Sequence, residues 1–262
     1  MTAPAWLDAD LERRFGALRR LYGEAGYTRL RGARVAVVGV GGVGSWAAEA
    51  LARSGVASLV LIDLDHVAES NINRQVQATG QTLGQAKVLA LRERVADIHP
   101  GCEVLAIEEF VDAQNWPALL PPDVDAVIDA CDEVRAKLAM AAWVLGSGRP
   151  FVTVGAAGGK RLAHMVDVED LAQVTHDPLL AALRQRLRRE HGAARQGRIG
   201  VRCVFSREGV TRPDAVCATG EGNDGSLNCH GYGSSVTVTA TFGMAAAGEA
   251  VAQLLSAPAQ GA

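Results

Sequence analysis

The chain has few aromatic residues, no closely spaced cysteine pair and no long uncharged apolar run. Only 5% of its 262 residues are aromatic although 48% are hydrophobic, so Val, Leu and Ala must fill most of the core. The net charge of −3 does not by itself predict a polyanionic partner. The length allows one large α/β domain, or one domain with an elaboration.

The cysteines argue against one class of metal site. None of the five belongs to a C-x-x-C pair, so a zinc ion held by thiolates is not expected. The odd number of cysteines and the lack of a signal peptide predict a protein of the reducing cytoplasm.

A membrane-spanning helix is not expected either, because no stretch of about 18 residues is both apolar and uncharged. The nearest candidate is residues 236–255, which are rich in Thr, Gly and Ala and contain Glu249. We interpret this stretch as a buried strand followed by a helix.

Apolar runs alternate with helical patterns through the first 155 residues. A leading helix with apolar residues from Leu11 to Tyr22 comes first. This alternation predicts an α/β fold built on a doubly wound, Rossmann-like parallel sheet. The predicted strands are 34–38, 59–62, 104–107, 124–128 and 151–154, and the predicted helices are 45–53, 85–98, 112–120 and 134–145.

The pattern changes after Gly155. Residues 165–168 and 201–205 look like strands of a smaller, partly antiparallel elaboration, with a helix predicted over 178–190 between them. Residues 211–235 are dense in Gly, Asn, Asp and Ser and are read as a long loop, a feature that is more often functional or disordered than a simple connection.

Four glycines follow the first predicted strand. Gly39, Gly41 and Gly44 occupy the fixed positions of a G-x-G-x-x-G turn, and Gly42 lies between them. Glycines allow the sharp turn and let phosphates reach the exposed N–H groups, while the next helix adds positive potential at its N-terminus. The alternative is a tight turn that binds nothing.

Asp63 ends the second strand, about 20 residues after the glycine turn. A carboxylate at this position is expected to accept hydrogen bonds from ribose hydroxyls. Asp65 is either a second site residue or a surface charge. Up to this point the pattern fits NAD and ATP equally well.

The segment that follows favours ATP. Asn71, Asn73, Arg74 and Gln75 provide amide and guanidinium donors where a dehydrogenase would usually continue into a helix, and Lys87 lies near the start of the next helix. We expect Arg74 and Lys87 to converge on a triphosphate and on charge developing at its α-phosphate, although each alone could be a solvated cation.

Two carboxylates follow the fourth predicted strand. We expect Asp132 to bind the Mg²⁺ that accompanies ATP. Asp129 is an alternative ligand, or a cap for the following helix.

Together, the segments 39–44, 63–65, 71–75, Lys87 and 129–132 resemble the MoeB/ThiF family, which is related to the ubiquitin-activating enzymes. The resemblance places Asp63 on the ribose, puts Asn71, Arg74 and Lys87 on the phosphates, and puts Asp132 near the metal. It implies a single adenylation domain over 1–262, with a nucleotide-binding core at 10–155, a tRNA-facing elaboration at 156–235 and a C-terminal strand and helix at 236–256.

Further segments, including 200–206 and 239–243, resemble the branch of this family that acts on threonylcarbamoyladenosine in tRNA. That branch implies adenylation of the threonyl carboxylate by ATP, ring closure by an internal nitrogen, and release of AMP. The alternative is adenylation of the C-terminus of a ubiquitin-like sulfur-carrier protein, which the missing C-x-x-C pairs make less expected. A dehydrogenase and a non-catalytic scaffold remain further alternatives.

The partner predictions follow from this branch. The arginines between 184 and 212 are read either as a tRNA-binding face or as a solvated surface. Arg20 is expected to reach a second subunit in a homodimer, and a cysteine desulfurase or sulfur-acceptor protein is a further candidate partner. Cys229 lies beside His230 in a glycine-rich stretch and is a candidate nucleophile, or else a packing thiol. The basic set comprises Arg184, Arg186, Arg188, Arg189, Arg195, Arg198, Arg202, Arg207 and Arg212.

Overall fold

A single mixed sheet runs through the molecule. The computed structural model describes residues 9–211 and 232–257. Its strands are β1 (Arg34–Val38), β2 (Ser58–Ile62), β3 (Glu103–Ile107), β4 (Ala126–Asp129), β5 (Phe151–Val154), β6 (Val166–Asp170) and β7 (Arg202–Ser206). They pair in the order β3-β2-β1-β4-β5-β7-β6, and every neighbouring pair is parallel except β6–β7.

Helices cover both faces of this sheet, which confirms the predicted doubly wound α/β architecture. α3, α4 and α7 pack on one face, whereas α5 and α6 pack on the other. The helices are α1 (Leu11–Phe15), α2 (Ala17–Gly32), α3 (Gly44–Arg53), α4 (Lys87–Ile98), α5 (Val134–Ser147), α6 (Pro178–Glu190) and α7 (Val236–Ser256).

The central strand β1 shows why the chain needs two covering layers. Val35 and Val37 belong to the core shared with α3 and α7, while Ala36 and Val38 belong to the core shared with α5 and α6. Successive side chains of a strand point to opposite faces, so a strand that is apolar throughout must be buried on both sides.

The carboxyl ends of the central strands meet at one edge. Val38, the last residue of β1, pairs with Ile62 in β2 and with Asp129 in β4. The residues that follow these strands are therefore neighbours, although they are far apart in the sequence. Because the strand order reverses between β1 and β4, this edge is the expected crevice for a ligand.

The predicted helix over 112–120 is wrong. Residues 113–119 form consecutive turns without regular helical structure. Pro117 lies within the segment, and because it has no N–H to donate it breaks the helical hydrogen-bond pattern.

The predicted strand at the start of residues 236–255 is also wrong, since α7 is one continuous helix of 21 residues. Ser235 caps it by accepting a hydrogen bond from the N–H of Thr237. Among the described residues, α7 is also the one helix long and apolar enough to span a membrane, and about half of its most apolar window is buried inside the protein. Val238, Phe242, Ala246 and Leu254 lie in the core against α3 and the sheet, so α7 is a core helix.

The two strands predicted after Gly155 are present, and their antiparallel pairing is confirmed. They do not form a separate layer, because β7 pairs in parallel with β5 and extends the main sheet.

Most of the predicted loop 211–235 lies outside the described residues. The leading helix is divided into α1 and α2, and Gly23 interrupts α2 with a φ of 73°.

Candidate active site

The glycine turn is closely packed at two of its positions. A Cβ at Gly44 would lie 1.8 Å from the carbonyl oxygen of Gly39, which no side chain can tolerate. Gly39 has a φ of 79°, and a Cβ there would lie 2.9 Å from the backbone nitrogen of Cys131. Both glycines are therefore required by the fold of the turn itself.

Gly41 and Gly42 occupy more open positions and face the polar segment after β2. A Cβ at Gly41 would meet only the Gln75 amide nitrogen, 3.9 Å away. A Cβ at Gly42 would lie 3.2 Å from a methyl carbon of Thr239 and 3.5 Å from Arg74. The more open side of the turn thus faces the 71–75 segment, as expected if phosphates bind beside both.

Asp63 is tied directly to the glycine turn. Its Oδ2 accepts a hydrogen bond of 2.7 Å from the N–H of Val40, and its Oδ1 accepts one of 2.9 Å from the N–H of Asp65. Burial raises the pKa of Asp63, while the nearby Lys87 ammonium opposes that shift. The carboxylate lies at the end of β2, where the ribose contact is predicted.

Lys87 and Asp65 form an ion pair beside this carboxylate. The Lys87 ammonium lies 2.6 Å from Asp65 Oδ2, and the Lys87 N–H donates to the Asp65 carbonyl at 2.9 Å. The lysine side chain is only 8% exposed, compared with 55% for the aspartate. A cation held this rigidly at the start of α4 is well placed to meet an anion without reorganising.

The side chains of the predicted polar segment differ in their contacts. Asn71 is buried, and its Oδ1 accepts a hydrogen bond from the Ala68 N–H. Asn73 donates to the Ser234 carbonyl, and its own oxygen accepts from the Arg74 guanidinium at 2.9 Å. Gln75 is buried below the turn. Gln75 faces Gly41 and Arg74 faces Gly42, while the contacts of all four side chains with a nucleotide remain predictions.

Three residues that sequence reasoning did not assign hold this arrangement in place. Gln77 is buried and donates to the Val40 carbonyl at 2.9 Å. The indole N–H of Trp46 and the hydroxyl of Thr239 both donate to the Arg74 carbonyl, at 3.0 and 3.3 Å. Their sequence signal is weak, because each contact joins distant parts of the chain.

Asp129 is neither a helix cap nor an exposed metal ligand. It is completely buried with Lys137, whose ammonium lies 3.1 Å from Asp129 Oδ2. Thr153 donates to the same oxygen at 2.6 Å, and the N–H of Cys131 donates to the other carboxylate oxygen at 3.3 Å. Burial opposes the charge on Lys137, but the Asp129 carboxylate raises the pKa of Lys137 above its usual value.

A sequence signal for this pair existed. Lys137 shares the buried face of α5 with Ala141 and Val144, at helical spacing. A lysine at an apolar position of a helix indicates a buried charge that needs a partner.

Asp132 lies between β4 and α5, three residues after Asp129, and is exposed. The side chain that caps α5 is that of Glu133, which accepts a hydrogen bond of 2.8 Å from the Ala136 N–H. Asp132 is therefore not used as the cap and lies beyond the carboxyl end of β4. The described residues contain no cluster of three or more metal-binding side chains, so Asp132 would be one of few protein ligands.

Two cysteines lie in or near the segments considered for the site, Cys131 after β4 and Cys229 in the glycine-rich stretch. Cys131 is held against Asp129, with Sγ 2.9 Å from Asp129 Oδ1, and burial together with the neighbouring carboxylate raises the pKa of the Cys131 thiol well above its usual value. Its neutral thiol suits packing. Cys229 and His230 lie outside the described residues, and the role of Cys229 stays a prediction.

Much of the arginine-rich region is paired with carboxylates, several of them from distant parts of the chain. Arg186 and Arg189 both contact Glu190, Arg202 contacts Glu249, and Arg207 contacts Asp167. The partners of Arg202 and Arg207 lie outside the arginine-rich region in the sequence, so only the folded chain brings these charges together.

The remaining members are distributed unevenly. Arg184 donates to the carbonyls of Leu171 and Val174, and Arg188 donates to the carbonyl of Ala194. Arg195 and Arg198 are exposed. Arg212 lies outside the described residues. The basic face is consequently smaller than the sequence suggested.

The family model described as the ThiF family matches residues 14–261. The chain belongs to the ThiF family. It is 41% identical over 251 residues to the tRNA threonylcarbamoyladenosine dehydratase of Escherichia coli K12, covering 93% of this chain and 94% of that protein. It is 34% identical to the molybdopterin-synthase adenylyltransferase of the same organism, but over 50% of this chain and 52% of the relative.

A solved member of the ThiF family supports the same comparison in three dimensions. The crystal structure of the Escherichia coli tRNA N6-threonylcarbamoyladenosine dehydratase in complex with ATP matches with a TM-score of 0.85 and 39% identity, over 95% of this chain and 96% of that one. The family resemblance deduced from the sequence is confirmed.

Proposed function

We propose that this protein is an ATP-dependent tRNA dehydratase that cyclises N6-threonylcarbamoyladenosine. The observation that carries the proposal is a similarity to dehydratases over nearly the whole chain, combined with a glycine turn surrounded by Asp63, Arg74 and Lys87. The similarity to a sulfur-carrier adenylating relative covers only half of the chain. The elaboration at 156–235 is accordingly the part expected to select tRNA.

The chemistry explains why ATP is needed. A carboxylate is a poor electrophile until one of its oxygens becomes part of a good leaving group. An oxygen of the threonyl carboxylate attacks the α-phosphorus of ATP, and pyrophosphate leaves. A nitrogen of the same substrate then attacks the acyl carbon, AMP leaves with the carboxylate oxygen, and the nitrogen loses its proton. The tRNA product has lost the elements of one water.

The site residues have separate tasks in this scheme. Asp63 holds the ribose, and the N–H groups of the glycine turn bind the phosphates. Asn71, Asn73 and Gln75 line the phosphate site, while Arg74 and Lys87 stabilise the charge that develops at the α-phosphate. Such preorganised charges contribute several kcal/mol, on the order of 10²–10³ in rate for a single donor.

The residues present fit a magnesium ion that is carried mainly by the nucleotide. Asp132 offers a carboxylate at the edge of the sheet, and Mg²⁺ typically takes one or two carboxylates together with phosphate oxygens and water. Bound there, Mg²⁺ would neutralise phosphate charge. Asp129 is unsuitable as a ligand because Lys137 and Thr153 already use its inner oxygen.

The proposed setting follows from the substrate. A tRNA acceptor puts the reaction in the cytoplasm, where thiols stay reduced. The described Cys102, Cys131 and Cys203 are free thiols, which agrees with that setting. A homodimer with Arg20 near the partner's nucleotide, and a sulfur-transfer partner, are further proposals. Sedimentation would test the dimer.

The decisive experiment is mass spectrometry of nucleosides from tRNA incubated with the protein and ATP. We expect the threonylcarbamoyladenosine signal to be replaced by a product lighter by one water, with AMP and pyrophosphate formed in equal amounts. If ATP–pyrophosphate exchange is stimulated by a Gly-Gly-ended carrier protein but not by this tRNA, the sulfur-carrier alternative is correct.

A further inference from the structure

A cavity of about 430 Å³ opens at the carboxyl edge of the sheet, beside the nucleotide site. Three chain segments meet around it, namely the loop after β5, the segment after β7 and the residues that precede α7. Its volume is within the range of small-molecule sites. The lining includes Gly159, Lys160, Arg161, Thr211, Ser234 and Ser235.

The walls of this cavity are joined by backbone hydrogen bonds. The N–H of Gly159 donates to the Gly233 carbonyl at 2.9 Å, and the N–H of Thr211 donates to the Gly159 carbonyl at 2.8 Å. The Lys160 ammonium is buried, and it donates to the carbonyls of His176 and Glu208. The frame is therefore formed before any ligand enters, which lowers the entropic cost of binding.

Arg161 provides the cavity with an exposed cation, whose charge also acts on the nearby Glu208 carboxylate. The Glu208 carboxylate accepts hydrogen bonds from the backbone N–H groups of Arg161 and Leu162, at 2.9 Å each, and so fixes the base of this residue. The side chain of Arg161 is exposed, and its hydrogen bonds within the described residues are those of its backbone. Lys160 is almost fully buried and already donates to two carbonyls, so Arg161 is the exposed cation of this lining.

The cavity shares a wall with the predicted phosphate site. Asn73 donates a hydrogen bond of 3.1 Å to the carbonyl of Ser234, which lines the cavity. Asn73 in turn accepts from the Arg74 guanidinium. A group bound in the cavity would therefore lie next to the phosphates rather than at a remote surface.

We propose that this cavity receives the carboxylate-bearing side chain of the acceptor nucleoside, and that Arg161 anchors its carboxylate. The inference rests on the proposed function, because it assumes that the acceptor is a carboxylate. Two anions must approach each other for adenylation, and a guanidinium that pairs with the carboxylate offsets their repulsion and orients it. The hydroxyls of Thr211, Ser234 and Ser235 suit the neutral polar groups of the same substrate.

The test compares Arg161→Met with Arg92→Met, which removes an exposed arginine that does not line the cavity. ATP affinity is measured by calorimetry, tRNA affinity by filter binding, and AMP formation by steady-state kinetics. We expect Arg161→Met to keep the ATP affinity within about twofold and the thermal midpoint unchanged. Its kcat/KM for threonylcarbamoylated tRNA should fall by at least about tenfold, and Arg161→Lys should recover part of that loss.

A second substrate makes the result specific for the carboxylate. Arg161→Met should lose affinity for threonylcarbamoylated tRNA but not for the same tRNA with an unmodified adenosine. Equal losses on both tRNAs would show a contact with the tRNA backbone, and a parallel loss of ATP affinity would show a nucleotide contact. Either result, or no loss at all, overturns the proposal. If the wild-type protein forms no AMP with the modified tRNA, the proposed function itself fails.

Discussion

Gly41 and Gly44 belong to the same turn, but only one of them is required by packing. A side chain at Gly44 would overlap the backbone of Gly39, whereas a methyl group at Gly41 would find its nearest neighbour 3.9 Å away. Because packing within the protein does not require glycine at position 41, we infer that a ligand approaches the backbone closely there.

This contrast yields the first prediction. Gly41→Ala should leave the thermal midpoint nearly unchanged and weaken ATP binding by about tenfold or more, since its methyl group would occupy phosphate space. Gly80→Ala, at an open position away from the turn, is the matched control. Calorimetric titration with ATP measures the effect. Undiminished affinity in the Gly41 variant would place the phosphates elsewhere.

Lys87 supports a second prediction at the residue scale. Lys87→Met keeps the length of the buried side chain but removes the charge beside Asp63 and Asp65. We expect kcat for AMP formation to fall by about 10²-fold or more, with a smaller change in ATP affinity. Arg92→Met, at an exposed position on the same helix, should leave both quantities unchanged. If Lys87→Met is as active as the wild type, Lys87 takes no part in the reaction.

The Asp129–Lys137 ion pair is the clearest electrostatic contact between two secondary-structure elements. It joins the end of β4 to α5, and both side chains are fully buried. Removing one member of such a pair leaves an uncompensated charge, whereas removing both can be nearly neutral.

The third prediction follows from that asymmetry. Lys137→Met should lower the free energy of unfolding by about 3–5 kcal/mol. The double variant with Asp129→Asn should recover most of the loss, since no buried charge remains. Urea unfolding of the wild type, of the single variants Lys137→Met and Asp129→Asn, and of the double variant measures both effects. Additive losses in the double variant would contradict this account of the pair.

The elements also show where local patterns are sufficient. β1, β5 and α6 have the predicted bounds, because apolar runs and a capping Asp177 before Pro178 specify them locally. α7 was predicted incorrectly at its start, since Val236, Thr237 and Val238 favour a strand by propensity. Packing of Val238 and Phe242 against the core overrides that propensity.

His99 follows α4 and packs against both N-terminal helices, through Phe15 of α1 and Arg31 of α2. It is fully buried, its ring lies 4.6 Å from that of Phe15, and its Nε2 lies 2.7 Å from an Arg31 nitrogen. Burial and then the Arg31 charge lower the pKa of His99 to about 4. The folded protein therefore holds this histidine neutral.

The fourth prediction concerns pH. Below its ordinary pKa of 6.5, His99 takes up a proton in the unfolded chain but not in the folded one, until the pH approaches about 4. Its contribution to stability is thus present above pH 6.5 and is lost as the pH falls toward 4, by up to roughly 3 kcal/mol. His99→Gln should flatten the unfolding free energy in that interval relative to the wild type. Parallel pH curves for the two proteins would refute the assignment.

The charge distribution supports a fifth prediction, about tRNA. Arg198 is exposed, with its Nε 4.0 Å from the Asp170 carboxylate, so phosphate contact is expected there. Arg198→Met should weaken binding of modified and unmodified tRNA alike and reduce the slope of log affinity against log salt by about 1. Arg92→Met, on the opposite face of the sheet, should not change the slope. An unchanged slope for Arg198→Met would show that this arginine is a solvated surface residue that contacts no tRNA phosphate.

The doubly wound sheet, the glycine turn and the polar residues after β2 can be predicted from local sequence patterns, because each depends on neighbours within a few positions along the chain. The burial of Asp129 against Lys137, the pairing of acids from β6 and α7 with the arginines, and the position of Arg161 in a cavity beside Asn73 could not be predicted in this way. Charges and cavities depend on which distant segments meet, and the parallel strands bring those segments together at one edge of the sheet.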